Sequence, residues 1–284
     1  MSMFLELVSP SMIQGLILSL VAIGIMIPFK ILNFPDITAE GSYPLGGALC
    51  AALIIENVHP GVATIIACIA AGIIGVCTAC LNLRFKVNTL LAGIVISTMI
   101  YSVNLKIMDK PNIALLGIEN LFSNITDNIP AQILTLLGLN VIIIIPIFLF
   151  FKTSIGLRMR TVGTDHKFAE RQAININKYT ILGLFIGNAL CGLSSSIMVQ
   201  IQGYADISMG IGIVVHALAA LMIGEVIINP NNITKQIISP FIGAIIYQQI
   251  QGVAIAIGFA SSDLKFLAGS IVLFAFVLKR RVEI

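Results

Sequence analysis

Long apolar runs, separated by short polar connections, recur along the whole chain and leave it few possible folds. Hydrophobic residues make up 58% of the 284 residues and charged residues only 10%, with a mean hydropathy of +1.03. A run of roughly 18 or more apolar residues with few charges predicts a helix that spans a bilayer, whereas spanning β-strands would need short segments of alternating polarity. The runs do not alternate, so we predict an all-α polytopic membrane protein.

The positive charges predict how the chain crosses the membrane. Nine crossings place the two termini on opposite sides, and the basic residues at 279–281 indicate the cytoplasmic side, because lysine and arginine are enriched there. Only Lys106, Lys110 and Lys265 of the 16 lysines and arginines then lie outside. The nine predicted spans are residues 12–32, 44–57, 60–80, 88–107, 131–151, 179–201, 210–228, 236–258 and 264–279.

The second predicted span is short and follows a polar, helix-breaking segment. At about 1.5 Å per residue it would extend only about 21 Å, against a hydrocarbon core of about 30 Å. Pro35, Gly41 and Pro44 lie in or before it. We therefore predict a discontinuous helix, since irregular backbone at membrane depth is tolerated where protein or a cavity surrounds it.

A second copy of this segment predicts an inverted repeat. The sequence "DITAEGSYPLGGALCAAL" begins at Asp36 and "DISMGIGIVVHALAAL" begins at Asp206. The predicted topology runs the two copies in opposite directions, as in transporters whose binding site lies at the repeat interface. We predict one transmembrane domain over residues 1–284, with a first repeat at about 12–108, a polar cytoplasmic segment at about 152–178 and a second repeat at about 179–279.

The residues of the polar cytoplasmic segment predict two short helices. Thr164 or Asp165 can cap the second of these helices, which we expect to begin at His166. One interpretation is a solvated loop that carries the positive charge of the inner side. The other is a docking element, with a small-residue face at Ala169, for a groove on a soluble partner.

This segment also carries a family resemblance. The sequence "GLRMRTVGTDHKFAERQAIN" resembles the cytoplasmic coupling segment of the permease family that serves branched-chain amino-acid, ribose and related importers of the ATP-binding cassette class. Thr161 and Ala173 stand where that family usually has alanine and glycine. "LNFPDITAEGSYPLGGALCAAL" is similar to the family's other hallmark, and "LLAGIVISTMIYSVNLKIMDKPNIALL" is similar to a branch labelled as tryptophan or tyrosine importers. The matching residues of the coupling segment are Gly156, Arg160, Gly163, Ala169, Ile174 and Asn175.

The resemblance implies that the chain is the transport subunit of an importer and not an enzyme. The sequence has no GxxxxGK[ST] phosphate-binding loop, so a separate ATPase subunit would bind ATP and this chain would bind no cofactor. The ATPase would dock on the coupling segment. The expected coupling residues are Gly156, Arg158, Arg160, Gly163, Asp165, Ala169, Glu170, Arg171, Ile174 and Asn175.

The resemblance also implies further partners and a location. A second permease copy, expected as a homodimer, and an extracytoplasmic substrate-binding protein or lipoprotein would complete the transporter. The chain would lie in the lipid bilayer of a bacterial cytoplasmic (inner) membrane, with its C-terminus in the cytoplasm. The net charge of +3 follows from the charge bias between the two sides, so no nucleic-acid partner is expected.

Polar residues inside the apolar segments are candidates for the substrate path, because ionisable groups at membrane depth are costly and usually face a cavity. Alternatively, they join helices at about 0.6 kcal/mol per hydrogen bond, and Asp36 and Asp206 cap half-helices. Such a path would suit a small polar or zwitterionic solute, including an aromatic amino acid. The candidates are Asp36, Thr38, Glu40, Ser42, Asn104, Asn188, Asp206, His216 and Gln248.

An ion-coupled secondary transporter is the alternative function, because such proteins also use inverted repeats and broken helices. Asp36 and Asp206 could supply its ion site, but this class has no need for the basic cytoplasmic segment. A metal-dependent membrane enzyme is disfavoured, since His59, His166 and His216 lie in separate segments.

Overall fold

The computed structural model describes residues 2–125, 128–260, 263–264 and 266–273, and most of them are helical. Residues 266–273 form a helix near the end of the described chain. The preceding α-helices are α1 (Ser2–Met26), α2 (Ala39–Ile55), α3 (Pro60–Phe85), α4 (Thr89–Met108), α5 (Ile129–Lys152), α6 (Ser154–Thr164), α7 (His166–Arg171), α8 (Ile176–Gln202), α9 (Ile213–Ile228) and α10 (Ile233–Ala256).

The helices confirm a polytopic all-α membrane protein. α2 and α9 are apolar but shorter than the others that match predicted spans, with 17 and 16 residues. α2 begins at Ala39 rather than at residue 44, and only part of the predicted span 264–279 falls within the described residues. The count of nine crossings therefore stays a prediction. Six described segments are long and apolar enough to cross a membrane: Val8–Ile31, Pro60–Phe85, Thr89–Met108, Ile129–Lys152, Ile176–Gln202 and Ile233–Ala256.

The chain divides into two compact units that alternate along the sequence. The first unit consists of Met1–Ile23, Ile125–Leu149 and Val214–Ile284. The second unit consists of Gly24–Asn124 and Phe150–Ile213, and it contains the cytoplasmic segment and most of the candidate substrate-path residues. The fold of the second unit therefore positions most of the predicted sites.

Small residues line the helix contacts of the second unit. A Cβ at Gly46 would lie 2.5 Å from the Cα of Gly192, and a Cβ at Gly75 would lie 2.3 Å from the carbonyl oxygen of Leu184. Such residues let helix backbones approach closely, which favours packing in lipid, where no hydrophobic force drives helices together. α2 thereby packs directly against α8, and α8 packs against α3. Small side chains also build much of the core around α2, as at Ala48, Cys50, Ala51, Ala63 and Ala67.

A two-stranded antiparallel sheet joins the connections that follow α4 and α8. Strand β1 (Asn112–Ala114) pairs with strand β2 (Tyr204–Asp206), with Ile113 opposite Ala205. Backbone pairing requires the strands to lie side by side at about 4.8 Å. Both connections therefore lie at the same end of the second unit, as the predicted topology requires.

α2 begins beside the middle of α4. The chain leaves α1 through a π-helical turn (Ile27–Ile31) and is non-helical at residues 33–37. A Cβ at Gly41 would lie 2.7 Å from the Cα of Ser97, which is well inside the 20-residue α4. The backbone between α1 and α2 is thus interrupted, as Pro35 predicts. Gly41 and Pro44 lie inside α2 instead, so the expectation that they interrupt the helix is wrong.

A second irregular segment meets the start of α2. Residues 207–212 form turns between β2 and α9, and a Cβ at Gly210 would lie 2.2 Å from the carbonyl oxygen of Glu40. Only a residue without a side chain fits this approach. The irregular segment at 207–212 therefore packs against the first turns of α2, although it is far from α2 in sequence.

The two similar segments that begin at Asp36 and Asp206 start with the same local turn. The Oδ1 atom of Asp36 accepts a hydrogen bond from the backbone N–H of Thr38 (2.9 Å), and Oδ1 of Asp206 accepts one from the backbone N–H of Ser208 (2.7 Å). An aspartate that bonds to the backbone two residues later stabilises a turn. The inverted repeat as a whole stays a prediction.

Candidate functional site

The polar segment that is predicted to be cytoplasmic folds as two capped helices, α6 and α7, which we call the coupling hairpin (residues 154–171). The Oγ1 atom of Thr153 accepts a hydrogen bond from the N–H of Gly156 (3.4 Å) at the start of α6. Oδ1 of Asp165 accepts bonds from the N–H groups of Lys167 (2.9 Å) and Phe168 (3.1 Å) at the start of α7. Of the two caps that the sequence allows, Asp165 is therefore the one used.

Two glycines anchor the coupling hairpin to the second unit. A Cβ at Gly156 would lie 2.5 Å from the carbonyl oxygen of Phe150. A Cβ at Gly163 would lie 1.8 Å from the carbonyl oxygen of Ile31, in the π-helical turn after α1. Because a Cβ would clash at both positions, only glycine fits there. α6 therefore packs directly against the end of α5 and the π-helical turn.

The surface that the coupling hairpin presents differs from the expected small-residue face. Ala169 is completely buried against its own chain, so it does not face a partner. The exposed apolar side chains are instead Ile155, Leu157 and Phe168, which are 45–59% exposed. Among the expected coupling residues, Gly156 is buried, Arg160, Gly163 and Ile174 are partly exposed, and Arg158, Asp165, Glu170, Arg171 and Asn175 are exposed.

A groove borders the coupling hairpin where it meets α8. Its volume is about 590 Å³, and its walls include Phe168 of α7 together with Arg158 and Lys178. The backbone turns at Ala173, whose φ of 53° lies in the left-handed region. Asn175 then caps α8, since its Oδ1 accepts the N–H of Lys178 (3.1 Å). An apolar ring beside two cations gives the groove a mixed surface of the kind found at protein interfaces.

Four candidate substrate-path residues form one buried network at the start of α2. Oδ2 of Asp36 accepts a hydrogen bond from Nδ2 of Asn188 (2.9 Å), and Oδ1 of Asn188 accepts one from Oγ of Ser42 (2.7 Å). The hydroxyls of Thr38 and Thr78 lie 2.7 Å apart. All five side chains are at most 2% exposed. The network joins α2, α3 and α8, and its donors and acceptors are largely used within the protein.

Two other candidates, Glu40 and Asn104, line a separate open pocket of about 360 Å³. The pocket lies between the start of α2, the C-terminal half of α4 and the segment at 207–212. Ser97, Thr98 and Tyr101 of α4 also line it. This arrangement can hold a small polar molecule, because ligand pockets of about 300–1,000 Å³ with a few polar groups are typical.

The remaining candidates lie elsewhere. Asp206 is at the sheet, where its Oδ2 accepts a hydrogen bond from Nδ2 of Asn112 (3.3 Å). In the first unit, Nδ1 of His216 lies 2.5 Å from the hydroxyl of Tyr247, and Nε2 of Gln248 donates to Gln14. The first unit therefore contains two of the nine candidates and the second unit contains seven. No group of three or more metal-ligating side chains occurs in the part of the chain that the structure describes.

Sequence reasoning predicted Asn104 but missed the other pocket-lining residues of α4, which are Ser97, Thr98 and Tyr101. Ser97, Tyr101 and Asn104 are separated by four and three positions, which places them on one face of a helix. This polar stripe on an otherwise apolar helix was a usable signal. Thr78 of the buried network had no such signal, because a lone threonine in an apolar run is common helix packing.

Comparisons with known proteins identify relatives over nearly the full length. Residues 7–277 match the family model described as the permease component of branched-chain amino acid transport systems. A protein of Clostridioides difficile named "Tyrosine transport system permease protein" is 37% identical over 273 residues, which cover 96% of this chain and 91% of that protein. An uncharacterized protein of Rickettsia prowazekii is 35% identical over 92% of this chain and 93% of its own length.

A third relative matches over a shorter part of the chain. A Lactococcus lactis protein named as a nucleoside ABC transporter permease is 33% identical over 86 residues, which cover 30% of this chain and 27% of that protein. No solved structure matches the chain significantly.

Proposed function

Since this chain belongs to the family of permease components of branched-chain amino acid transport systems, we propose that it is the membrane subunit of an ATP-binding cassette importer. It moves a small polar solute inward by alternating access, and a separate ATPase subunit binds the ATP that drives this movement. The proposed solute is an amino acid. An aromatic amino acid is favoured because the relative from Clostridioides difficile is named for tyrosine transport.

The coupling hairpin is the observation that carries this proposal. A loop whose only role is to carry charge needs neither two capped helices nor close backbone contacts at glycine residues. Here both helices are capped by side chains, at Thr153 and Asp165. Phe168 is 50% exposed on a segment that the charge bias places in the cytoplasm, where it can insert into a groove of the ATPase.

The contacts of the hairpin suggest how motion of the ATPase reaches the substrate. Displacement of α6 presses on the π-helical turn through the contact between Gly163 and Ile31. The hairpin also packs on α8, and α8 carries Asn188 of the buried network. Asn188 bonds to Asp36 just before α2, so movement of α8 moves the start of α2, where Glu40 lines the open pocket.

The complete importer requires partners beyond the ATPase. We propose a homodimer of this chain in a bacterial cytoplasmic membrane, with the C-terminus in the cytoplasm. A substrate-binding protein or lipoprotein docks on the opposite side, where the β1–β2 sheet and its connections lie in the proposed topology. No cofactor is assigned to this chain itself. An ion-coupled mechanism is not favoured, because Asp36 and Asp206 belong to separate hydrogen-bonded groups.

Replacement of Phe168 by alanine tests the docking surface. We expect its loss to weaken binding of the ATPase by about 1–3 kcal/mol, or roughly 5- to 150-fold, because buried aromatic anchors dominate interfaces. The measurements are co-purification with the ATPase and ATP-dependent uptake of L-tyrosine into proteoliposomes that contain the binding protein.

The matched control is Phe259→Ala, since Phe259 is similarly exposed (47% against 50%) but is predicted on the other side of the membrane. The control should bind the ATPase like the unmodified chain. If Phe168→Ala binds and transports normally, the hairpin is not the ATPase contact and the proposal fails.

A further inference from the structure

The open pocket beside α2 contains an amide oxygen without a partner. Asn104 is only 1% exposed, and its Nδ2 donates to the carbonyl oxygen of Gly41 at 3.4 Å. Its Oδ1 has no hydrogen-bond partner among the residues that the structure describes. A buried acceptor left unpaired is unfavourable, and Asn104 lines the pocket, so a donor placed in the pocket would satisfy it.

The same pocket contains a carboxylate without a cation. Oε1 of Glu40 accepts a hydrogen bond from the N–H of Gly212 (3.2 Å), and Glu40 forms no ion pair with any described lysine or arginine. Glu40 is partly buried in the first turn of α2. Acidic side chains at membrane depth are normally paired or face a functional cavity. A positively charged group in the pocket would therefore be strongly favoured.

The hydroxyl groups of the pocket add acceptors. Both Ser97 and Thr98 donate their hydroxyl hydrogens to the carbonyl oxygen of Ile94, at 2.9 Å and 2.7 Å. Each hydroxyl oxygen therefore offers only lone pairs to a ligand. Together with Glu40 and Asn104, these groups give the pocket a negative charge and several acceptors.

A primary ammonium group matches this arrangement. It has one positive charge and three N–H donors, which can satisfy Glu40, Asn104 and one hydroxyl together. The half-exposed ring of Tyr101 can attract the same charge through its π face. Ile207 and Ile211 supply an apolar wall for the rest of the ligand.

We propose that the pocket of Glu40 and Asn104 binds the primary ammonium group of the transported solute. The identity of that group as part of a transported amino acid rests on the proposed function. The recognition of an ammonium group rests only on the pocket itself. The pocket thus selects amines over carboxylates of the same shape.

Three probes separate the chemical groups of an aromatic amino acid. Tyramine has the ammonium group without the carboxylate, 3-(4-hydroxyphenyl)propionate has the carboxylate without the ammonium group, and L-tyrosine has both. Affinities are measured on the purified full-length chain from the rise of its thermal unfolding midpoint with each probe. We expect tyramine and L-tyrosine to bind and the propionate to bind at least tenfold more weakly.

Glu40→Gln removes the charge while keeping the shape and the acceptor for Gly212. Because a hydrogen bond to a charged group is lost, we expect tyramine to bind roughly 10- to 150-fold more weakly. Glu56→Gln is the matched control, since it makes the same change at the exposed other end of α2, and it should bind tyramine within about twofold of the unmodified chain.

Asn104→Leu provides a second variant in case the first fails to fold. It removes the unpaired acceptor while keeping the number and branching of the side-chain heavy atoms, so tyramine binding should fall roughly 2- to 13-fold for the loss of one neutral acceptor. The unfolding midpoint without ligand should change little, because the loss of the long bond from Nδ2 to the Gly41 carbonyl is offset by removal of the unpaired Oδ1. A purely structural role for Asn104 predicts instead a lower midpoint and unchanged tyramine binding.

Several results would overturn the proposal. These are unchanged tyramine binding in a folded Glu40→Gln chain, equal binding of the propionate, no stabilisation of the unmodified chain by tyramine, or stabilisation by sodium or potassium ions alone. ATP-dependent uptake is measured separately. If uptake is absent while Glu40-dependent tyramine binding persists, the pocket is supported and the importer function is contradicted.

Discussion

Replacing Asn188 by leucine tests whether the buried network holds the irregular start of α2. Leucine has the same number and branching of side-chain heavy atoms as asparagine but no polar atoms. The change removes the bonds from Nδ2 to Asp36 (2.9 Å) and to the carbonyl oxygen of Leu184 (3.0 Å), and the bond accepted from Ser42 (2.7 Å). It also leaves the Asp36 carboxylate and the Ser42 hydroxyl without this partner in a buried site.

The expected loss follows from the kinds of bond removed. A hydrogen bond to a charged group contributes about 1.5–3 kcal/mol, and a neutral one between membrane helices contributes about 0.6 kcal/mol. With one charged and two neutral bonds lost, we expect the free energy of unfolding to fall by about 3–4 kcal/mol. The measurement is reversible unfolding of the purified chain in mixed micelles as the fraction of denaturing detergent rises.

Two further variants make this prediction refutable. Asn112→Leu removes one bond at the exposed sheet and should change stability by no more than about 0.5 kcal/mol. The exchange Asp36→Asn with Asn188→Asp keeps one carboxylate and one amide in contact and should recover at least about 1 kcal/mol relative to the sum of the single changes. A loss below about 1 kcal/mol for Asn188→Leu, or no recovery in the exchange, would show that the network does not hold α2.

Three further predictions test the coupling hairpin and the topology. Ala173→Gly should stabilise the chain by about 0.5–1 kcal/mol, because a residue with a Cβ is unfavourable at a φ of 53°. A lower unfolding midpoint would contradict the left-handed backbone conformation at residue 173. Gly163→Ala should destabilise the chain by more than about 2 kcal/mol, since its Cβ would lie 1.8 Å from a carbonyl oxygen. The control Gly138→Ala in α5, where a Cβ meets nothing within 4 Å, should be neutral or stabilising. Equal effects of the two changes would refute the anchoring of α6 by Gly163. In a cysteine-free background, Lys167→Cys should react with a membrane-impermeant thiol reagent only after the cells are opened, whereas Leu116→Cys should react in intact cells. The opposite pattern would show that the predicted topology is inverted.

The amino-acid sequence determined the features that depend on neighbouring residues. Apolar runs defined the positions of α1 to α5 and α8 to α10, because a helix in lipid satisfies its backbone hydrogen bonds within one segment. The two helices of the coupling hairpin followed from the cap at Asp165, whose bonds reach only two and three residues along the chain. The interruption before α2 followed from Pro35, since proline disfavours a continuous helix.

The tertiary structure decided which polar residues meet. Asp36 and Asn188 are 152 positions apart and Glu40 and Gly212 are 172 positions apart, so no local pattern assigns them to a closed network or to an open pocket. Ala169 shows the same limit, because its small size suits a partner's groove and its own chain equally well. Local hydrogen bonds and helix preference are encoded within a few residues, whereas burial and pairing depend on how close-packed helices from distant segments are placed.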